Sequence, residues 1–378
     1  MPGTILSLFQ IKFQHMENQR LIRFTLVLFI ITILLAGIIT AKSILIPLAI
    51  SVFFSYLFYP VSWKIEKLGI HRAIAILFVI LVAILIIGSV ALFLSAKLSN
   101  MTIDLAELKE NFETKADSLK LILENKLGMN AGAMDHYVDR FSNNFFSSWE
   151  TQLGNLFAAT TTTIFQIAIL PVFTFFLLFY RTKSAHFIFR VVGRKKREKT
   201  LHILREVSTV TTRYLGGLFI VVAILAILNS TGLYIIGVKH ALIFGILAAL
   251  LNLIPYAGTF LGFLIPFSYV LFTVPDPFST LLKVAVLFIV VQFTENNLLT
   301  PNIVGNSIKI NPLAIILSLL VANMIWGIAG MLIVVPTLAI LKVIMRNIDE
   351  LKPYAFLISD RGVDKYRVSF KKLWKRKK

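Results

Sequence analysis

Apolar residues in this chain fall into runs too long for the elements of a soluble core. They cover about 22–41, 44–61, 73–96, 155–180 and 214–237, then three blocks at 241–274, 279–299 and 312–345. A bilayer crossing takes about 20 residues of helix. None of the runs alternates with the period of two that marks a lipid-facing barrel strand, and helices satisfy their own backbone in lipid. The pattern predicts an all-α polytopic membrane protein with about six to eight membrane-crossing helices.

The polar stretches between the runs divide the chain. Residues 1–96 form an N-terminal arm and three spans. Residues 97–150 are polar, with apolar positions at helical spacing up to Gly128, and predict a small helical insert outside the membrane. Residues 151–237 hold two spans around a basic loop at 181–213. Residues 238–345 form the last apolar region, and 346–378 a basic tail. Two of the late blocks, 241–274 and 312–345, are 34 residues each, well beyond one crossing. Each breaks near its middle, at "NLIPYAG" (252–258) and "NMIWGIAG" (323–330). In both, Asn is followed by Gly and then by Pro266 or Pro336. Each block is either a kinked crossing or a re-entrant hairpin. Two hairpins on either side of the 279–299 crossing would form an inverted pair, the arrangement that builds a midplane site from broken helices.

Charge adds orientation. Segment 97–150 holds six Lys or Arg against nine Asp or Glu, whereas 181–213 holds ten against two. The N-terminal arm, the 63–72 connector and the tail ending "KKLWKRKK" are basic too. Basic segments stay in the cytoplasm, which predicts cytoplasmic termini and an extracytoplasmic insert in a bacterial inner membrane. The net charge of +19 follows from this bias, so no nucleic-acid partner is inferred. The basic loop and tail suit anionic lipid headgroups. The chain has no cysteine, which excludes disulfides and thiolate chemistry. No HExxH, GxSxG or phosphate-binding loop occurs, so neither enzyme chemistry nor an ATP site is expected, and no cofactor.

Of 19 carboxylates, only Glu295 falls within a late apolar block; the others occupy the arm, loops, insert, tail and a "PDP" turn at Asp276. An acid at that depth costs about 2.5–3.5 kcal/mol on insertion scales and is by default a functional group. The plain alternative is a headgroup-level residue capping a helix end near Pro301. Gln292 lies one turn back on the same face, and Asn296 and Asn297 adjoin. Asn252 and Asn323 stand beside the two breaks. These six polar residues are the candidate substrate or ion site, with H+ or Na+ as the coupling ion.

The pieces "LNLIPYAGTFLG" (251–262), "VVQFTENNLLTPNIVG" (290–305), "INPLAIILSLLVA" (310–322) and "WGIAGMLIVVPTLAILKVI" (326–344) resemble, in order and spacing, the autoinducer-2 exporter family of bacterial membrane proteins, also described as predicted permeases. "LPVFTFFLLFYR" (170–181) before the basic loop fits the same layout. The family's Pro-x-x-Gly falls on Pro255 and Gly258. Its acid falls on Glu295 with Asn297, its Pro and Gly on Pro301 and Gly305, and its Gly-x-x-Gly on Gly327 and Gly330. Thr300, Asn311 and Thr259 depart from it, standing where an acid, His and Pro are frequent. The first two departures remove titratable groups and leave Glu295 the burden. The resemblance implies export of small polar molecules, with the quorum-sensing signal autoinducer-2 as the name-giving substrate. It implies Na+ or Li+ exchange for H+ in some members, and homo-oligomers. The resulting expectation is a gradient-driven secondary transporter. An antiporter, a passive channel and a membrane scaffold protein are its rivals.

Overall fold

A computed structural model describes residues 22, 25–127, 140, 144, 161–305 and 309–360. The helices are α1 (Thr25–Thr40), α2 (Lys42–Lys67), α3 (Arg72–Leu127), α4 (Thr161–Phe179), α5 (Arg181–Val192), α6 (Arg197–Ile236), α7 (Ala241–Leu251), α8 (Ala257–Thr273), α9 (Phe278–Thr294), α10 (Pro312–Asn347) and a short α11 (Lys352–Leu357). No strand is found among the described residues beyond one isolated bridge, Ile310 to Ser359. Five stretches are long and apolar enough to cross a membrane: Lys42–Lys67, Arg72–Lys97, Arg194–Ile236, Phe278–Val304 and Pro312–Asn347. The protein is thus an all-α, multi-pass membrane protein. Its surface agrees: α1 and the apolar part of α3 leave most large aliphatic side chains exposed, while Ser51, Ser62 and Thr174 are buried. Ser51 Oγ donates to the Leu170 carbonyl across the α2–α4 contact at 3.0 Å. Inside a lipid-facing bundle, small polar residues let backbones approach and carry the cross-links.

Three expectations need adjusting. Residues 181–213, read as a loop, are helical: α5 and the first turns of α6, parted at Gly193. Its ten Arg and Lys make the segment polar enough to leave the membrane and are good helix formers. The expected fifth span, 214–237, is consequently the second half of a 40-residue rod. The third span likewise runs unbroken into the insert, since α3 continues to Leu127. Gly128, most of the rest of the insert, the N-terminal 21 residues and the tail beyond 360 lie outside the described residues.

Both long blocks double back. In the first, α7 and α8 are joined by a break at 252–256. Phe244 near the start of α7 packs on Tyr269 near the end of α8, with ring centroids 4.9 Å apart. A Cβ on Gly258 would fall on the Leu251 carbonyl, and one on Gly262 would lie 3.1 Å from Ala248 Cα. In the second, α10 is continuous in hydrogen bonding except at Gly327 (φ 61°, ψ −141°), a conformation that only glycine adopts easily. Its two arms meet there: a Cβ on Gly330 would strike the Ala322 carbonyl. Its feet meet as well. Lys342 Nζ donates to the Lys309 carbonyl, and the chain after α10 returns to residues 309–311 through Asn311 N to Ile358 O (2.9 Å) and Asp360 N to Lys309 O (3.0 Å). The parallel read in sequence is therefore physical. Gly258 and Gly330 each press on the preceding arm, and Pro266 and Pro336 are each fully buried.

The rod α6 relates the two hairpins. The feet of the first pack around Leu233 and Val238 at its C-terminal end. Those of the second are tied near its N-terminal end, where Glu206 accepts from Arg346 and, at 3.0 Å, from Asn347 Nδ2. Glu206 and Leu233 lie about 40 Å apart along the helix axis. The hairpins therefore enter from opposite ends, with α9 running antiparallel to α6 between them: Leu287 packs at Gly232 and Val304 at Gly217.

This geometry predicts two outcomes. Gly258→Val should lower the thermal unfolding midpoint of the purified protein, by overpacking worth about 1–3 kcal/mol. Gly88→Ala, which meets nothing within 4 Å, should leave the midpoint unchanged or raise it slightly. Cysteines placed at Lys309 and Lys342, in a chain that has none of its own, should be bridged by a short bis-thiol cross-linker. A straight α10 would put those positions about 50 Å apart and give no intramolecular product.

Candidate functional site

The α-helical register of α9 fails at its end. From Glu295 to Val304 the chain forms a ten-residue π-helix containing Pro301 and closed by Gly305 (φ 72°, ψ −179°), whose N–H donates to the Thr300 carbonyl. Proline has no N–H to give, and its ring crowds the carbonyl four residues back, so an undistorted α-helix cannot pass through 301. Such widened turns are rare and recur at functional sites. Here the wide turn begins at the one acid of the region.

Glu295 is half-buried and held by two amides. Asn252 Nδ2, at the break of the first hairpin, donates to Oε1 at 2.8 Å. Gln292 Nε2, one turn back, donates to Oε2 at 2.8 Å and also reaches Asn296 Oδ1 at 3.3 Å. Among the described residues no salt bridge reaches this carboxylate. Hydrogen bonds to a charged group contribute about 1.5–3 kcal/mol each. Two of them are comparable with the insertion cost of one acid, which is how the bundle keeps a carboxylate without a cation beside it.

Depth follows from α6. Leu225 and Asn229 line the same small cavity as Glu295, together with Ala248, Asn252, Thr259, Gly262, Phe288, Val291 and Gln292. Between Arg213 and Lys239, α6 carries no charge. Leu225 and Asn229 sit about 15–24 Å from either limit along the axis, so Glu295 lies near mid-height of the apolar layer and not at headgroup level. The cavity measures about 20 Å³, enough for about one water or bare ion. The break beside it is strained: Tyr256 stands at φ 65°, ψ −59°, a region that costs a non-glycine residue about 1–3 kcal/mol.

Of the six polar candidates, Glu295, Gln292 and Asn252 meet around the cavity, and Asn296 touches Gln292 from an exposed position. Asn297 does not join them, because its Nδ2 donates to the Phe293 carbonyl at 2.9 Å and so supports the backbone where the register changes. Asn323 does not join either. It is exposed on the second hairpin, four residues before the bend, whereas Asn252 sits in the break itself. Among the breakers, Pro255 lies in the first break and Gly258 just after it. Pro301 and Gly305 shape the π-helix, and Gly327 and Gly330 shape the second bend. Asn229 and Thr259 are wall residues that sequence reasoning passed over as site members. The available signal was an asparagine in an uncharged span, a costly placement in lipid.

The model of the AI-2E family transporter matches residues 28–350 of the chain. "Putative transport protein YrrI" of Bacillus subtilis (strain 168) is 29% identical over 311 residues, covering 80% of this chain and 86% of the relative. "AI-2 transport protein TqsA" of Escherichia coli (strain K12) is 23% identical over 340 residues, covering 90% and 96%. These relatives are named as transport proteins, not enzymes, and their matches run across spans, hairpins and site alike. The chain belongs to the AI-2E transporter family.

Proposed function

We propose that the protein is a gradient-driven secondary transporter of a bacterial inner membrane, in which Glu295 binds the coupling ion. The observation that carries this reading is the Asn252–Glu295 hydrogen bond. It joins a lone carboxylate at mid-height to the break of a re-entrant hairpin, and transporters place ion and substrate sites at the midplane beside broken helices. Occupancy of Glu295 by a cation or a proton competes with the hold of the carboxylate on Asn252, so binding is transmitted directly to the hairpin break. The transported solute is a small polar molecule, with autoinducer-2 as the first to test because one relative is named for it. The basic face at 181–213 and the tail lie in the cytoplasm, against anionic headgroups. Copies of the chain assemble into a homo-oligomer, as the family resemblance implies.

A second reading is favoured by the lone carboxylate itself. Glu295 with its two amides could serve a cation alone, as a Na+ or Li+ for H+ antiporter would require. A passive channel or a scaffold protein would need no carboxylate held in this way.

Flux from liposomes containing the purified protein separates these readings. Autoinducer-2 is loaded inside, and pH and Na+ gradients are imposed in turn. Wild type should show gradient-dependent efflux, and Glu295→Gln should lose at least about tenfold of the rate while inserting normally. Cation exchange without movement of the signal would select the antiporter. Equal flux in wild type and variant would remove Glu295 from the mechanism.

A further inference from the structure

One helix of the protein lacks an interior face. None of the 12 residues of α5 is buried. On its inward side Arg181, Ala185 and Ile188 are half-covered, while Phe187 and Val191 on its outward side are 66% and 69% exposed. A helix of this length is marginal in water without a surface to pack on. Lys183 and Arg190 are exposed on the same outward side, three or four residues from Phe187 and so beside it. Arg194, Lys195 and Lys196 follow in the next turn, and no acidic residue occurs from Arg181 to Arg197. Among the described residues no carboxylate pairs with these five cations.

The height of α5 follows from its neighbours. Its first residue, Arg181, pairs with Glu66 at 2.6 Å, and Arg72 donates to the Leu178 carbonyl at 2.9 Å. The ends of α2 and α4 and the start of α3 thus meet at one level, where the apolar runs stop. Trp63, 41% exposed with Lys67 over its ring, stands there as an interfacial aromatic. On α6, Thr212 donates to the Tyr56 carbonyl of α2. From that shared height Glu66 lies about 15 Å and Arg197 about 22 Å further out. The two ends of α5 therefore differ in height by about 7 Å, although the helix is about 18 Å long. It runs more along the membrane surface than away from it.

The charge decides what meets the outward side. A second copy of α5 would bring the same cations, and like charges repel across an interface. An anionic leaflet offers the opposite charge to Lys183 and Arg190 and an apolar boundary to Phe187 and Val191, which is the composition of helices that lie in the interface. We propose that α5 is an interfacial helix: Phe187 and Val191 enter the leaflet at the boundary of headgroups and acyl chains, and Lys183, Arg190 and the turn 194–196 hold phosphates of anionic phospholipid. This rests on the placing of the basic face against anionic headgroups, adds to it an apolar insertion and a residue set, and is independent of Glu295.

The test uses the full-length protein in nanodiscs of phosphatidylcholine alone or mixed with phosphatidylglycerol. The chain has no cysteine, so Phe187→Cys, Val191→Cys and His186→Cys each give one site for a nitroxide label. Labels at 187 and 191 should be relaxed by oxygen, which concentrates in lipid, and shielded from a neutral water-soluble nickel chelate, more strongly with phosphatidylglycerol present. The label at 186, about 100° round the helix from Phe187, should stay open to the chelate. Lys183→Gln together with Arg190→Gln should remove the dependence on phosphatidylglycerol. Labels at 187 and 191 open to the chelate in both discs overturn the inference and leave α5 as a face for a protein partner. Retention of phosphatidylglycerol by the detergent-purified protein reads the basic face separately: retention with open labels removes the insertion alone, and loss of both removes the headgroup placement as well. Equal insertion in the two discs overturns the assignment of the cations to anionic lipid.

Discussion

A bilayer offers no water to backbone or side-chain polar groups, and every unusual feature here lies where the protein itself replaces that water. The bond from Asn252 to Glu295 is the centre of this arrangement. It fastens the bend of the first hairpin to the π-helix and satisfies half of a carboxylate at mid-height. Gln292 satisfies the other half from the same helix. The break at 252–256 would leave backbone groups bare in lipid, but Leu253 N, Ile254 N and Gly258 N donate to the Leu250, Leu251 and Ile254 carbonyls, and the change of register begins at Glu295 on the cavity wall beside α6, where irregular backbone is tolerated.

Small residues make that arrangement physically attainable. Gly217 and Gly232 let α6 lie against the Val304 backbone and the Leu287 side chain, and Gly245 of α7 lets that helix lie against Ser230 of α6. Only with α6 that close does Asn229 reach the wall of the Glu295 cavity. The cluster against the middle of α6 is accordingly built from Val221, Val222, Leu225, Ala249, Val291 and Val304, whereas rings such as Phe244 and Tyr269 gather at the feet of the first hairpin. A bulkier seam would hold the helices apart, widen the cavity and admit water, which would weaken the hydrogen bonds that keep Glu295 in place.

Much of this was legible in the sequence because it depends on local pattern. Run lengths showed the helices, and 34-residue blocks with central Gly and Pro showed the two bends. The lone position of Glu295 pointed to the cavity wall where Asn252 and Gln292 bond to it. What escaped depends on distant partners. Asn229 stands 66 positions from Glu295 and opens a short polar patch, Asn229, Ser230 and Thr231, within an apolar run, and nothing in the local pattern ties that patch to the site. The equivalence drawn between Asn252 and Asn323 held for the glycines and prolines around them but not for the asparagines, because only Asn252 falls in the break. Residues 181–213 were placed correctly as a charged stretch between spans and misread as loop, since charge sets exposure while helix propensity sets the backbone.

The two hairpins are alike in construction and unequal in anchorage. The second is fastened at its feet by Glu206 with Arg346 and Asn347, by Lys342 on the Lys309 carbonyl, and by the bridge from 309–311 to 358–360. Near its bend, Trp326 Nε1 donates to the Ile38 carbonyl of α1 at 3.1 Å. These bonds go to backbone or to ion pairs at the end of the bundle, and none involves Glu295. The first hairpin instead has its break fastened to the one carboxylate of the interior, and that break already stores backbone strain at Tyr256. A charge-assisted bond is roughly twice as strong as a neutral one. Neutralising Glu295 therefore weakens the tie that opposes the strain, while the fastenings of the second hairpin are untouched. On the proposed function, ion occupancy acts on one hairpin and spares the other, so the inverted pair, symmetric in build, is asymmetric in response.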